Sequence, residues 1–178
     1  MYFNDETPDG NSNSTAAHQK GVLAVDPASG VGFYLLHSTP GWPNVPSKSQ
    51  KYDSETYGQH FFCVTVDIDE IDKIADNLYT TRPQIYYNGF DVDWVKTNIP
   101  TLYKVINGEY KSDATKKSVT LTSHAGHSFT MFYKNTNAQV DMWTWIAESL
   151  KHDLYVETWL RDASANPSCG TYSVEMVG

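Results

Sequence analysis

Two apolar runs, Gly21 to Val25 and Val31 to Leu36, flank the turn-forming stretch Pro27-Ala28-Ser29-Gly30. Such a pattern reads as an antiparallel β-hairpin. Pairing brings the start of the first run beside the end of the second. His18 and Lys20 stand just before the first run, and His37 ends the second. The hairpin therefore gathers two imidazoles and one ammonium into a small volume. If the residues before Gly21 are extended, His18 and Lys20 point the same way, because side chains alternate faces with period two. An imidazole is a nucleophile or proton carrier near neutral pH. A lysine ammonium is a compact cation that can hold an anionic oxygen. Phosphodiester chemistry needs both. His-x-Lys alone is a weak signal, and its context decides what it means.

Around the hairpin, residues 1–17 are polar and turn-rich and read as a loop leading into the first strand. Pro40-Gly41-Trp42-Pro43-Asn44-Val45-Pro46 is a loop, since three prolines remove donors and fix φ. It is either a connector or a wall of the site, with Trp42 available to stack on a base or sugar. Further strands are expected over Tyr57–Asp67, Pro83–Tyr87, Ser118–Ser123, Phe129–Tyr133, Leu154–Leu160 and Thr171–Val177. Helices are expected over Ile68–Tyr79, with Ile68, Ile71, Ile74, Ala75 and Leu78 on one face, over Asp91–Thr97, stopped before Pro100, and over Asp141–Lys151. Alternating strands and helices indicate an α/β fold, a mixed sheet flanked by helices, as one domain over residues 1–178.

The 178 residues can bury a real core, and 40% hydrophobic content fits a folded protein. No apolar run approaches the roughly 20 residues that span a bilayer, so no membrane partner is expected. Met1-Tyr2-Phe3-Asn4-Asp5 has no basic region followed by an apolar one, so no signal peptide is expected in these residues. A formal charge of −8 argues against a general nucleic-acid binder. Acid weakens that argument: protonating the six histidines brings the sum to −2. Cys63 lies in the apolar run Phe61-Phe62-Cys63-Val64 and reads as a buried thiol, while a bridge to Cys169 stays open. Asp67, Asp69, Glu70 and Asp72 read as the solvated start of a helix. His124 and His127 do not suit a shared metal, because a spacing of three in a strand sends them to opposite faces. No metal and no cofactor are expected.

Read together, these segments resemble the deoxyribonuclease II family. Ala17-His18-Gln19-Lys20-Gly21-Val22 matches its His-x-Lys-Gly-Val signature. Gly32-Phe33-Tyr34-Leu35-Leu36-His37-Ser38-Thr39-Pro40 matches Gly-Phe-Trp-Leu-x-His-Ser-x-Pro. Tyr57-Gly58-Gln59-His60-Phe61-Phe62-Cys63-Val64 matches Tyr-Gly-Gln-x-x-x-Cys-Val. Leu121-Thr122-Ser123, Gly126 and Phe129 match a later stretch, and Tyr2-Phe3-Asn4-Asp5 looks like an internal piece of the family's sequence.

The resemblance implies a phospholipase D-like fold whose catalytic unit has two similar halves, each giving one His-x-Lys to a shared site. It implies metal-independent hydrolysis of DNA in acid, leaving 3′-phosphate ends, in a lysosomal or secreted protein. It carries over His18 and Lys20 as a catalytic pair, with His37 beside them. Ser38 and Trp42 become candidates for substrate binding. Asp26, six residues after Lys20, is assigned to structure. No other histidine has lysine two positions on. The chain is therefore expected to be one half of the unit. The missing C-terminal half, or a second copy in a homodimer, would complete the site. The resemblance would place a signal peptide and a cysteine partner for Cys63 in an upstream segment, which this chain is expected to lack. The alternative is a catalytically inactive relative, a secreted module binding DNA or a protein.

Overall fold

The computed structural model describes residues 1–49, 58–157 and 168–176. Tyr57, residues 158–160 and Val177, each expected in a strand, fall outside the described residues, as does the Cys169 side chain. Two compact units divide the chain, Met1–Asn135 and Thr136–Gly178.

The first unit is built on a five-stranded sheet. Its strands are β1 (Tyr2–Phe3), β2 (Gly21–Asp26), β3 (Val31–His37), β4 (Phe61–Asp67) and β5 (Ile85–Tyr87), in the order β4-β3-β2-β1-β5. The expected hairpin is present: Gly21 pairs with Leu36 and Asp26 with Val31. Its turn closes through Gly30 N–H to the Asp26 carbonyl at 3.0 Å. The Asp26 carboxylate accepts from the Ala28 N–H at 3.0 Å, and Gly30 takes φ 69°, where a side chain would be strained.

The opening of the chain corrects the expectation of a loop. Tyr2 and Phe3 form β1, inserted between β2 and β5. Phe3 is fully buried, and so is Asn4. The polar composition of residues 4–15 hid a strand too short for periodicity to reveal. Asn4 then ties β1 to the proline-rich loop. Its Nδ2 donates to the carbonyls of Thr39 (3.1 Å) and Trp42 (3.0 Å), and its Oδ1 accepts from Glu6 N–H.

One face of the sheet is covered by α1 (Ile68–Thr81), whose Ile71, Ile74, Ala75 and Leu78 are buried as the spacing requires. They pack on Leu23, Tyr34, Val64 and Val66. The helix α2 (Val92–Asn98) is capped by the Asp91 carboxylate, which accepts from Asp93 and Trp94 N–H. A further helix follows, α3 (Pro100–Ile106). Pro100, expected only as a stop, also starts a helix, because the N–H it lacks is one a first-turn residue does not need. The hairpin β6 (Lys116–Thr122) and β7 (Ser128–Lys134) is fastened to α1. Asp76 accepts from Lys117 Nζ at 2.7 Å and Tyr133 Oη at 2.5 Å. Glu70 accepts from Thr122 N–H at 2.9 Å.

Cys63 is exposed, not buried. Along β4, Val64 and Val66 turn to the helix side and are buried, which sends Cys63 and Thr65 to the other face. His124 and His127 lie at the β6–β7 turn, and His124 Nδ1 meets Asp67 at 2.6 Å. In the second unit, α4 (Met142–Leu150) packs with β8 (Leu154–Val156), β9 (Ser168–Cys169) and β10 (Ser173–Met176) around Ala147, Val156 and Val174. The fold is α/β. Every strand pairing in the large sheet is antiparallel; β8 and β10 pair in parallel, as does the isolated bridge between Ala17 and Pro83. No described helix is long and apolar enough to cross a membrane.

Candidate active site

His18 and Lys20 sit just outside β2, with His18 at a bend where Gln19 N–H donates to the Ala17 carbonyl at 2.8 Å. Gln19, between them, turns toward the helix: its Nε2 donates to Tyr34 Oη at 3.2 Å and its Oε1 accepts from Thr81 Oγ1 at 2.9 Å. His18 and Lys20 turn the other way and converge on one carboxylate, that of Asp5. His18 Nδ1 lies 2.5 Å from Asp5 Oδ2, and Lys20 Nζ donates to Asp5 Oδ1. The pair differs sharply in exposure. The His18 side chain is 86% exposed and that of Lys20 is 6% exposed. His18 opens on a pocket of about 280 Å³ lined by Asp5, Ser12, Asn13, Ser14 and Ala16.

Burial pushes the Asp5 carboxyl up. The hydrogen bonds from Lys20 and His18, with their charges, outweigh this and hold it below the ordinary carboxylate range. Asp5 is not singled out by the sequence, because it lies in a stretch whose polar, turn-rich composition reads as loop. The signal that could have found it is the family-like Tyr2-Phe3-Asn4-Asp5.

His37 is brought beside Lys20, as the hairpin requires: its N–H donates to the Lys20 carbonyl at 3.2 Å. Its ring is buried, edge-on to Trp42 at 4.9 Å and stacked on Phe61 at 5.8 Å. Among the described residues neither ring nitrogen has a hydrogen-bond partner. Burial, then the nearby charges of Lys20 and His60, push its pKa down to about 4; the Thr39 backbone opposes this without reaching hydrogen-bond geometry. Ser38 Oγ is engaged within the chain, donating to Gln59 Oε1 at 2.5 Å and accepting from His60 N–H at 3.0 Å. Trp42 is half-buried against His37 and Phe61, 5.3 Å from the latter's ring. Among the described residues no three His, Cys, Asp or Glu side chains converge as a metal site.

The chain matches the family model for deoxyribonuclease II over residues 1–177. It is 35% identical over 177 residues to deoxyribonuclease-2-alpha of Sus scrofa, covering 94% of this chain and 48% of that protein. It is 34% identical to deoxyribonuclease-2 of Caenorhabditis elegans, covering 94% and 44%. It is 31% identical to plancitoxin-1 of Acanthaster planci, covering 99% and 52%. The chain thus spans about half the length of the curated relatives it matches. With the family model matched over residues 1–177 and a 35% identical relative matched over 94% of the chain, this protein belongs to the deoxyribonuclease II family.

Proposed function

We propose that this chain is one half of an acid, metal-independent endonuclease with a phospholipase D-like architecture, cleaving DNA phosphodiesters to 3′-phosphate ends. The observation that carries this is the convergence of His18 and Lys20 on Asp5, with the His18 ring open to a pocket. His18 attacks phosphorus; the nitrogen–phosphorus bond forms and the bond to the 5′ oxygen breaks. Lys20 supplies fixed positive charge near the non-bridging oxygens. The leaving oxygen takes a proton from a second histidine, which must be protonated while His18 is not. Water then releases the phosphate from His18. His37, buried against Trp42 and Phe61 with its pKa lowered to about 4, suits packing beside Lys20 and not a charged contact to phosphate at pH 5. The second histidine comes from the other half of a relative-length protein or from a second copy.

Plasmid nicking at pH 5 with chelator tests this. His18→Ala should lower nicking at least ~10²-fold. Nicking that needs a divalent metal, or that survives loss of His18, refutes it. The single His-x-Lys in the sequence favours a second reading, an inactive relative that still binds DNA. That version predicts retention on DNA at pH 5 that falls steeply with salt, without nicking. No binding at any pH rejects both.

A further inference from the structure

We propose that Asp5 is the positioning residue of this site: its carboxylate grips the His18 ring at Nδ1, so that Nε2 faces the pocket as the attacking nitrogen. A neutral imidazole carries one proton, and a carboxylate at Nδ1 fixes it there, leaving the Nε2 lone pair free. The same carboxylate holds the buried Lys20 ammonium on its other oxygen, so one side chain sets the separation of the pair. Asp5 can do this because its backbone is pinned on both sides. Asn4 before it is fully buried with both ends of its amide bonded, and the Asp5 carbonyl accepts from Asn13 N–H at 3.3 Å. Its carboxyl is held below the usual range by Lys20 and His18 against the opposing effect of burial, so it stays ionised at pH 5. Asp5 is not merely an anion in the place of a substrate phosphate. It occupies the inner nitrogen of His18, while 86% of that side chain remains exposed for the substrate.

The consequence for rate rests on the nuclease reading; the geometry does not. Long-range ¹H–¹⁵N spectra of the full chain, at a pH high enough to leave the ring neutral, report the His18 tautomer directly. Wild type should show the Nδ1–H form. Asp5→Asn should lose that preference, and Asp5→Glu, which keeps the carboxylate, should recover part of it. In nicking at pH 5, Asp5→Asn should lower kcat about 10²-fold with KM changed less than about threefold. An Nε2–H ring in wild type overturns the proposal even if Asp5→Asn does not fold. So does an unchanged tautomer in folded Asp5→Asn, or a gain of DNA affinity and rate, which would mark Asp5 as a phosphate mimic. Wild type with the Nδ1–H ring and no nicking leaves the role of Asp5 in place and counts only against cleavage of DNA by this chain without its other half.

Discussion

His37 shows how one side chain can carry a stability cost tied to the acidity in which the protein is proposed to work. Its pKa is lowered from 6.5 in the unfolded chain to about 4 in the fold, first by burial and then by Lys20 and His60. Between these values the unfolded chain binds a proton that the native ring refuses. Stability from this residue is therefore full above pH 6.5 and falls as the pH drops toward 4. A shift of that size amounts to at most about 3 kcal/mol. His37→Leu keeps the apolar contacts with Trp42 and Phe61 and removes the proton site. Denaturant unfolding at pH 7, 5 and 4 should show a flatter loss of stability for the variant than for wild type. Parallel pH dependences would show that His37 is not held neutral by its surroundings. With its pKa lowered to about 4, His37 is mostly deprotonated at pH 5 and is a poor proton source for a leaving group there.

Strand β1 explains a glycine in the signature. Phe3 pairs with Gly21, and a β-carbon at Gly21 would run into the Phe3 ring and the Leu35 carbonyl. Gly21 thus lets β1 lie close against β2, and Asp5 follows two residues after Phe3, over the pair. Gly21→Ala should cost about 1–3 kcal/mol by overpacking. It should also loosen the His18 tautomer, although residue 21 touches neither ring nor carboxylate; a destabilised variant with an unaltered His18 ring would separate β1 from the site. The same strand marks the limit of what could be read from sequence. The β2–β3 hairpin, α1 and its buried face, the shared direction of His18 and Lys20, and the pairing of Lys20 with His37 are legible in the sequence, because local periodicity and one tight turn determine them. β1, α3 and the Asp5 contact are not. Two residues carry no period, a proline can start a helix as well as end one, and Asp5 reaches His18 across 13 positions of intervening chain. Exposure of Cys63 was missed for a related reason: an apolar run does not say which face a neighbouring helix will cover.

On the mechanism proposed above, His18 is the nucleophile, Lys20 is buried on Asp5, and the pKa of His37 is lowered to about 4, so that mechanism assigns the leaving oxygen's proton to another histidine. The sequence holds one His-x-Lys, and the chain spans about half of its relatives. Acid helps a second acidic copy approach, since the formal charge falls from −8 toward −2 as the six histidines protonate. If two copies face each other across a two-fold axis, each lends the other an imidazole. Nicking per chain at pH 5 should then rise with protein concentration. Mixing wild type with an equal amount of His18→Ala, at constant total protein, should leave about a quarter of the activity, because random pairing gives one fully armed dimer in four. Mere dilution by an inert variant would leave about half. A rate per chain independent of concentration, with half the activity in the mixture, would place both proton transfers within a single chain and exclude the paired site.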